Sequence, residues 1–198
     1  QVGLTLVADA ELARSTLGRT LVELELIRTP RAASDRIDTL HAYKKEVLVT
    51  ILPCLADLLR RGRHPDIRSG CAALLASLGK EATPAVASLG QGLTTPGAEA
   101  ASLEALGNID PQDLDPAMPW IKSALQNGSD SQALDLLRFL GERPTLGRVA
   151  LDLICDALQW GTEAVRASSA NTLRGLGQRA KPATPLLLAC FRTDKSVI

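Results

Sequence analysis

A three-position apolar signature returns along the chain at a nearly constant spacing. Leu26, Leu59, Leu93, Leu125, Leu158 and Phe191 are separated by 33, 34, 32, 33 and 33 residues. Four residues before each stand Val22, Leu55, Leu89, Ile121, Ile154 and Leu187, apolar in every case. Seven before, Leu52, Val86, Met118 and Leu151 continue the column, while Arg19 and Thr184 interrupt it. Positions three and four apart share one face of an α-helix. The spacing therefore predicts a recurring helix, here helix B, whose anchor column and the column four before it are buried throughout.

Prolines set the same register independently. Pro84, Pro116 and Pro182 stand nine residues before the anchor, and Pro53, Pro119 and Pro185 six before it. Proline is tolerated in a first helical turn, where the backbone N–H has no intrahelical partner. These prolines mark the start of helix B, with Thr83 and Asp115 as expected N-caps. Pro53 interrupts a helical-looking run, "KEVLVTILPCLADLLRRG", so a kink or a later start is expected there. A second helix, A, lies upstream of helix B in the repeats that follow the leading helix. It is rich in small residues and ends at Leu78-Gly79, Leu106-Gly107, Leu140-Gly141 and Leu176-Gly177, where glycine takes a left-handed conformation cheaply. Short polar turns such as "RGRHPD", "QNGSD" and "WGTE" separate the units. Helix pairs that bury their faces only against their neighbours describe an all-α solenoid. Apolar residues are 45% of the chain and aromatics 3%, with Leu and Ala dominant, which favours helices over a β-sandwich.

Two stretches, "DIRSGCAALLASLGKEATPAV" from Asp66 and "VRASSANTLRGLGQRAKPATPLL" from Val165, carry a V/I-R-x-x-A/C-x-x-L-x-x-L-G pattern followed by an alanine- and proline-rich helix start. This resembles the HEAT repeat family, in particular the short HEAT-like repeats of phycobilin lyases. The resemblance covers residues 60–198. The repeats beginning near Thr95 and Ser129 lack the paired aliphatic residue and arginine. Residues 31–61 keep helix B but have "AYKKE" where Leu-Gly belongs, and residues 1–30 give one helix B interrupted by Gly18. About five antiparallel helix pairs with a leading helix are expected, as a single α-solenoid over residues 1–198. The resemblance implies that Arg68 and Arg166 bond an acidic group or a carbonyl in the adjoining turn, with Asp66 and Glu163 as candidates.

The chain is expected to be a piece of a longer array. Val197 follows Phe191 in the role that Ile67 and Val165 play when they open a helix A. Leu187 and Leu188 are then expected to be partly uncovered or to self-associate through an uncapped end.

"GLGQRA", Gly175–Ala180, matches the glycine pattern of a dinucleotide loop. Such a loop follows a β-strand and opens a helix. Here it follows the helical stretch "SANTLR", and its second glycine aligns with the other Leu-Gly corners, so a helix corner is expected. "NGS" at Asn127–Ser129 matches a glycosylation acceptor and also a turn signal.

Basic and acidic residues balance at 22 each, which argues against a general nucleic-acid footprint. The cluster Arg60, Arg61, Arg63, His64 and Arg68 reads either as a solvated helix end or as a site for an acidic partner. No apolar run has the length of a membrane span, so no membrane insertion is expected. Cys54, Cys71, Cys155 and Cys190 form no CxxC and read as buried free thiols of a reducing, cytoplasmic compartment. His41 and His64 lie apart, without a ligand-spaced partner set, so neither a metal site nor a catalytic base is expected. Asp152 and Asp156 form an i, i+4 pair off the core stripe, on a solvated or partner-facing ridge.

These residues point to a non-enzymatic interaction scaffold without a cofactor. Helix B would line an extended concave surface for a protein or peptide partner. Its off-stripe candidates are Asp57, Gln91, Ser123 and Asp156, two before the anchor, and Arg60, Gln126, Gln159 and Arg192, one after it. Trp120 and Trp160 are candidate anchors, or else partly buried beneath a turn. The family resemblance also keeps open a phycobilin-lyase-like chromophore attachment subunit and a nucleic-acid-binding HEAT-like protein.

Overall fold

The computed structural model describes residues 16–26 and 30–193, and among them every regular element is helical. Twelve α-helices follow in order among the described residues: α1 (Thr16–Leu26), α2 (Pro30–His41), α3 (Lys45–Thr50), α4 (Leu52–Arg61), α5 (Pro65–Leu78), α6 (Val86–Gly92), α7 (Glu99–Gly107), α8 (Met118–Asn127), α9 (Asp130–Gly141), α10 (Gly147–Trp160), α11 (Glu163–Leu176) and α12 (Thr184–Thr193). No helix among the described residues is long and apolar enough to cross a membrane.

The chain divides into two compact units, residues 1–117 and 118–198. In the first, α2, α5 and α7 pack in succession as one layer, and α4 and α6 pack on each other as a second. α4 joins the layers through α5, and α6 through α7. The second unit repeats the arrangement: α9 packs on α11, α8 on α10 and α10 on α12, with α8 joined to α9 and α10 to α11. Small residues let these helices approach closely. A Cβ on Gly70 of α5 would stand 2.6 Å from Cγ2 of Ile37 on α2, and one on Gly141 of α9 would stand 2.8 Å from Cγ2 of Thr172 on α11.

The apolar columns form the cores of both units. Leu55, Leu59, Leu89, Ile121 and Ile154 are fully buried, and Leu93 and Leu158 nearly so. Burying such a side chain is worth about 1.5–3 kcal/mol. Three positions depart from the expectation: Val22, Leu125 and Leu187 are half-buried, because helical period selects a face but does not supply the neighbour that covers it. Leu188 is 54% exposed. The side chains of Leu26 and Phe191 and the whole of Val197 lie outside the described residues, as does most of the stretch before α1; Gly18 sits inside α1 rather than interrupting it.

The prolines behave by position. Pro53 stands in the first turn of α4, and the chain breaks before it at Ile51, with φ −104° and ψ 8°. Pro84 and Pro182 lie inside 3₁₀ turns, Gly79–Ala85 and Gly177–Ala183, that lead into α6 and α12. Thr83 is therefore not an N-cap. Its hydroxyl donates back to Lys80 O at 2.7 Å, and Ala85 occupies the cap position. Asp115 opens the 3₁₀ turn Asp115–Ala117 that precedes α8.

Two of the four Leu-Gly corners need glycine for its backbone. Gly79 and Gly177 have φ of +61° and +54°. Gly107 and Gly141 instead end their helices as ordinary helical residues, capped by Asn108 (φ −93°) and Glu142 (φ −75°). "GLGQRA" is thus the corner after α11, with no strand among the described residues.

Candidate interaction surface

Two turns between a B helix and the next A helix are built alike. α4 ends at Gly62 and α10 at Gly161, and each glycine N–H donates to the carbonyl four residues back, Leu58 O at 2.7 Å and Ala157 O at 3.0 Å. A Cβ on either glycine would stand 2.6 Å from that same carbonyl oxygen, and also against Ile67 or Val165 of the following helix. Close approach excludes a side chain here. The carbonyls of the same glycines accept from Nη1 of Arg68 (2.7 Å) and of Arg166 (3.2 Å). Arg68 reaches further: its Nε donates to Pro96 O at 3.0 Å, and its Nη2 to the same oxygen. Both arginines thus bind turn carbonyls.

Two arginines of the basic cluster in the first unit are paired internally. Arg60 and Arg61 fold back onto Oδ1 of Asp57 at 3.0 and 3.4 Å. His64 holds the N-cap position of α5 without a side-chain cap bond. Asp57 is 20% exposed.

The second unit differs at the same repeat positions. Asp156 is 42% exposed and pairs across to α8, Oδ2 lying 3.3 Å from Nζ of Lys122. Below the pair opens a cleft of about 330 Å³, small for a ligand cavity. Leu125 and Gln126 of α8 line it, with Asp130 of α9, Asp156 and Trp160 of α10 and Thr162 of the following turn. Thr162 Oγ1 donates to Asp130 Oδ2 at 2.9 Å and ties that turn to α9. The half-burial of Leu125 now has its reason, because it borders this cleft. Trp160 is 81% exposed at the cleft edge. An indole so exposed leaves a large apolar surface in water.

Of the ten residues singled out from sequence, three meet at this cleft: Gln126, Asp156 and Trp160. Gln159 is exposed on the same helix end but does not line the cleft. Ser123 and Trp120 of α8 are half-buried and also stand apart from it. Asp57, Arg60 and Gln91 belong to the first unit; Gln91 presents its carbonyl to the hydroxyls of Thr94 (3.0 Å) and Thr95 (2.9 Å). The Arg192 side chain lies outside the described ones. Lys122, Asp130, Thr162 and Leu125 were not singled out, and the one available signal was the glycine-turn spacing that places Thr162 beside Gly161.

Asn127–Ser129 forms a turn at the cleft's rim. Asn127 Nδ2 donates to Ser123 O at 3.1 Å, and Ser129 caps α9, its hydroxyl accepting from Gln132 N at 3.2 Å. Asp152 is exposed beside Arg148, 3.9 Å away. Among the described residues no group of three or more His, Cys, Asp or Glu could hold a metal ion. Cys71 is a buried free thiol, and burial in an apolar site pushes its pKa up to about 12. Cys54 and Cys155 form no disulfide and are half-buried rather than fully buried, and the Cys190 side chain lies outside the described ones.

Comparison with protein-family models, with curated proteins and with solved structures returned no match.

Proposed function

We propose that the chain is a short α-solenoid of HEAT-like repeats that serves as a non-enzymatic interaction module, holding a protein or peptide partner at the cleft between α8, α9, α10 and α11. One observation carries this reading: Trp160 stands 81% exposed beside a cleft whose rim holds an Asp156–Lys122 pair. Tryptophan is enriched, with tyrosine and arginine, among the residues that dominate binding energy at interfaces. The recurrent spacing, the two-layer packing within each unit and the matching arginine-held turns support the repeat architecture. The absence of a disulfide at Cys54, Cys71 and Cys155 suits a reducing compartment such as the cytoplasm.

The test is a quantitative affinity capture comparing the wild type with an Asp156→Ala, Gln159→Ala, Trp160→Ala triple variant and with Arg138→Ala as a surface control. The triple variant is expected to lose proteins that the wild type and the control both retain. Equal recovery by all three removes this surface from consideration.

A further inference from the structure

A second cleft, of about 520 Å³, lies where the end of α9, the start of α10 and the corner after α11 come together in the second unit. Its floor is apolar: Leu140 and Leu151 are buried and Leu176 half-buried. Its walls carry three arginines, Arg143, Arg148 and Arg179, against a single carboxylate, Asp152. In a chain with equal numbers of acidic and basic residues, this is a local excess of positive charge over an apolar floor.

The three guanidinium groups are held differently. Arg143 is half-buried; its Nη1 donates to Phe139 O at 3.1 Å, and its guanidinium carbon lies 4.0 Å over the Phe139 ring. Burial lowers its pKa, while neighbouring Glu142 acts the other way. It is a fixed cation rather than a waving one. Arg148 meets Asp152 only at 3.9 Å, with its side chain 91% exposed. The side chain of Arg179, in the 3₁₀ turn Gly177–Ala183, has no hydrogen bond or ion pair among the described residues. Arginine presents a planar fork of donors that matches a carboxylate.

We propose that this cleft binds an acidic peptide segment of a protein partner, with carboxylates on Arg148 and Arg179 and an apolar side chain on the Leu140–Leu151–Leu176 floor. The charge excess selects the carboxylates, and the leucine floor favours a peptide over a free anion. The site lies apart from the Trp160 cleft and does not depend on it.

The probe is a short fluorescein-labelled peptide alternating Glu and Leu, followed by fluorescence anisotropy at fixed salt. Arg148→Glu and Arg179→Glu reverse exposed charges, and circular dichroism confirms that each variant stays folded. Each is expected to weaken binding about tenfold or more. Arg138→Glu on another part of α9, and Trp160→Ala at the other cleft, are expected to leave the affinity unchanged. Equal binding of the peptide with Gln in place of Glu overturns the proposal. So does an equal loss in Arg138→Glu, which would mean general charge attraction. Equal binding of a Glu–Ser peptide together with displacement by inorganic phosphate would make this a simple anion site instead, and tighter binding of a single-stranded RNA oligonucleotide would reassign it to nucleic acid.

Discussion

The turn after α4 and the turn after α10 are one device built twice, and their surroundings diverge in an instructive way. Both have a glycine pressed against the preceding helix's carbonyl and an arginine holding the glycine's own carbonyl. In the first unit Asp57 is paired from within α4, and Arg68 also holds Pro96 O. In the second, Gln159 and Trp160 replace Arg60 and Arg61, and Asp156 turns to α8 instead of its own helix. The same turn thus stands beside a carboxylate held by its own helix in one place and beside a cleft with an exposed indole in the other.

The anchor column gives the most forceful way to break that comparison. Leu59 is fully buried, whereas Leu125 borders a cleft. Leu59→Asp buries an unpaired carboxylate and is expected to cost more than about 4 kcal/mol, abolishing cooperative unfolding of its unit. Ile121→Asp and Leu89→Asp, at fully buried sites, should do the same. Leu125→Asp can turn its charge to water and should cost only about 1–2 kcal/mol. Thermal melts followed by circular dichroism separate the cases, and a wild-type melt for Leu59→Asp would show that the helical register is wrong.

The glycine turns come next. Gly62→Ala and Gly161→Ala each force a Cβ against backbone, and a cost of about 1–3 kcal/mol is expected in urea denaturation. Equal penalties would confirm that the two turns are mechanically alike, and a neutral Gly161→Ala would separate them. The arginines should then differ in degree. Removing hydrogen bonds from a charged donor typically costs about 1.5–3 kcal/mol, reduced where water reaches them. Arg68→Met is therefore expected to cost about 1–2 kcal/mol, and Arg166→Met no more than that.

A pH series tests the cores. Cys71 on α5 and Ser169 on α11 are both fully buried at matching points of their helices, but only the thiol can ionise. Its folded pKa, about 12, lies above the value near 8.5 of an unfolded cysteine. Below pH 8.5 both states keep the proton and stability is complete. Between the two values only the unfolded chain loses the proton, so stability falls by about 1.4 kcal/mol per pH unit. The fall should flatten in Cys71→Ala. A thiol-reactive dye should label Cys54 and Cys155 before Cys71.

The smallest effect is a gain. Gly175 lies inside α11, where an added Cβ meets nothing within 4 Å. Gly175→Ala should stabilise by about 0.5–1 kcal/mol through helix propensity alone. A loss there would mean that the first glycine of "GLGQRA" has a role beyond a helix.

Helix order and the place of the corners between helices were largely legible in the sequence. Period, proline and glycine are local signals, and the break at Ile51 follows from Pro53 alone. The 3₁₀ turns around Pro84 and Pro182 were not legible, because residue preference does not separate a tighter turn from the start of an α-helix. Nor was the cleft. Leu125 fits its column as well as Leu59 does, and only the packing of α8 against α10 leaves it half-covered. The Lys122–Asp156 and Thr162–Asp130 contacts join residues more than thirty positions apart, beyond any local pattern.

Arg68 has one further consequence. Its guanidinium holds carbonyls at Gly62 and at Pro96, in two successive turns of the first unit. Neither turn can loosen fully without releasing the other, so fraying that would stay local is shared between them. The amide hydrogens of the two turns should then exchange with solvent at a common pace, set by one arginine rather than by each turn's own exposure.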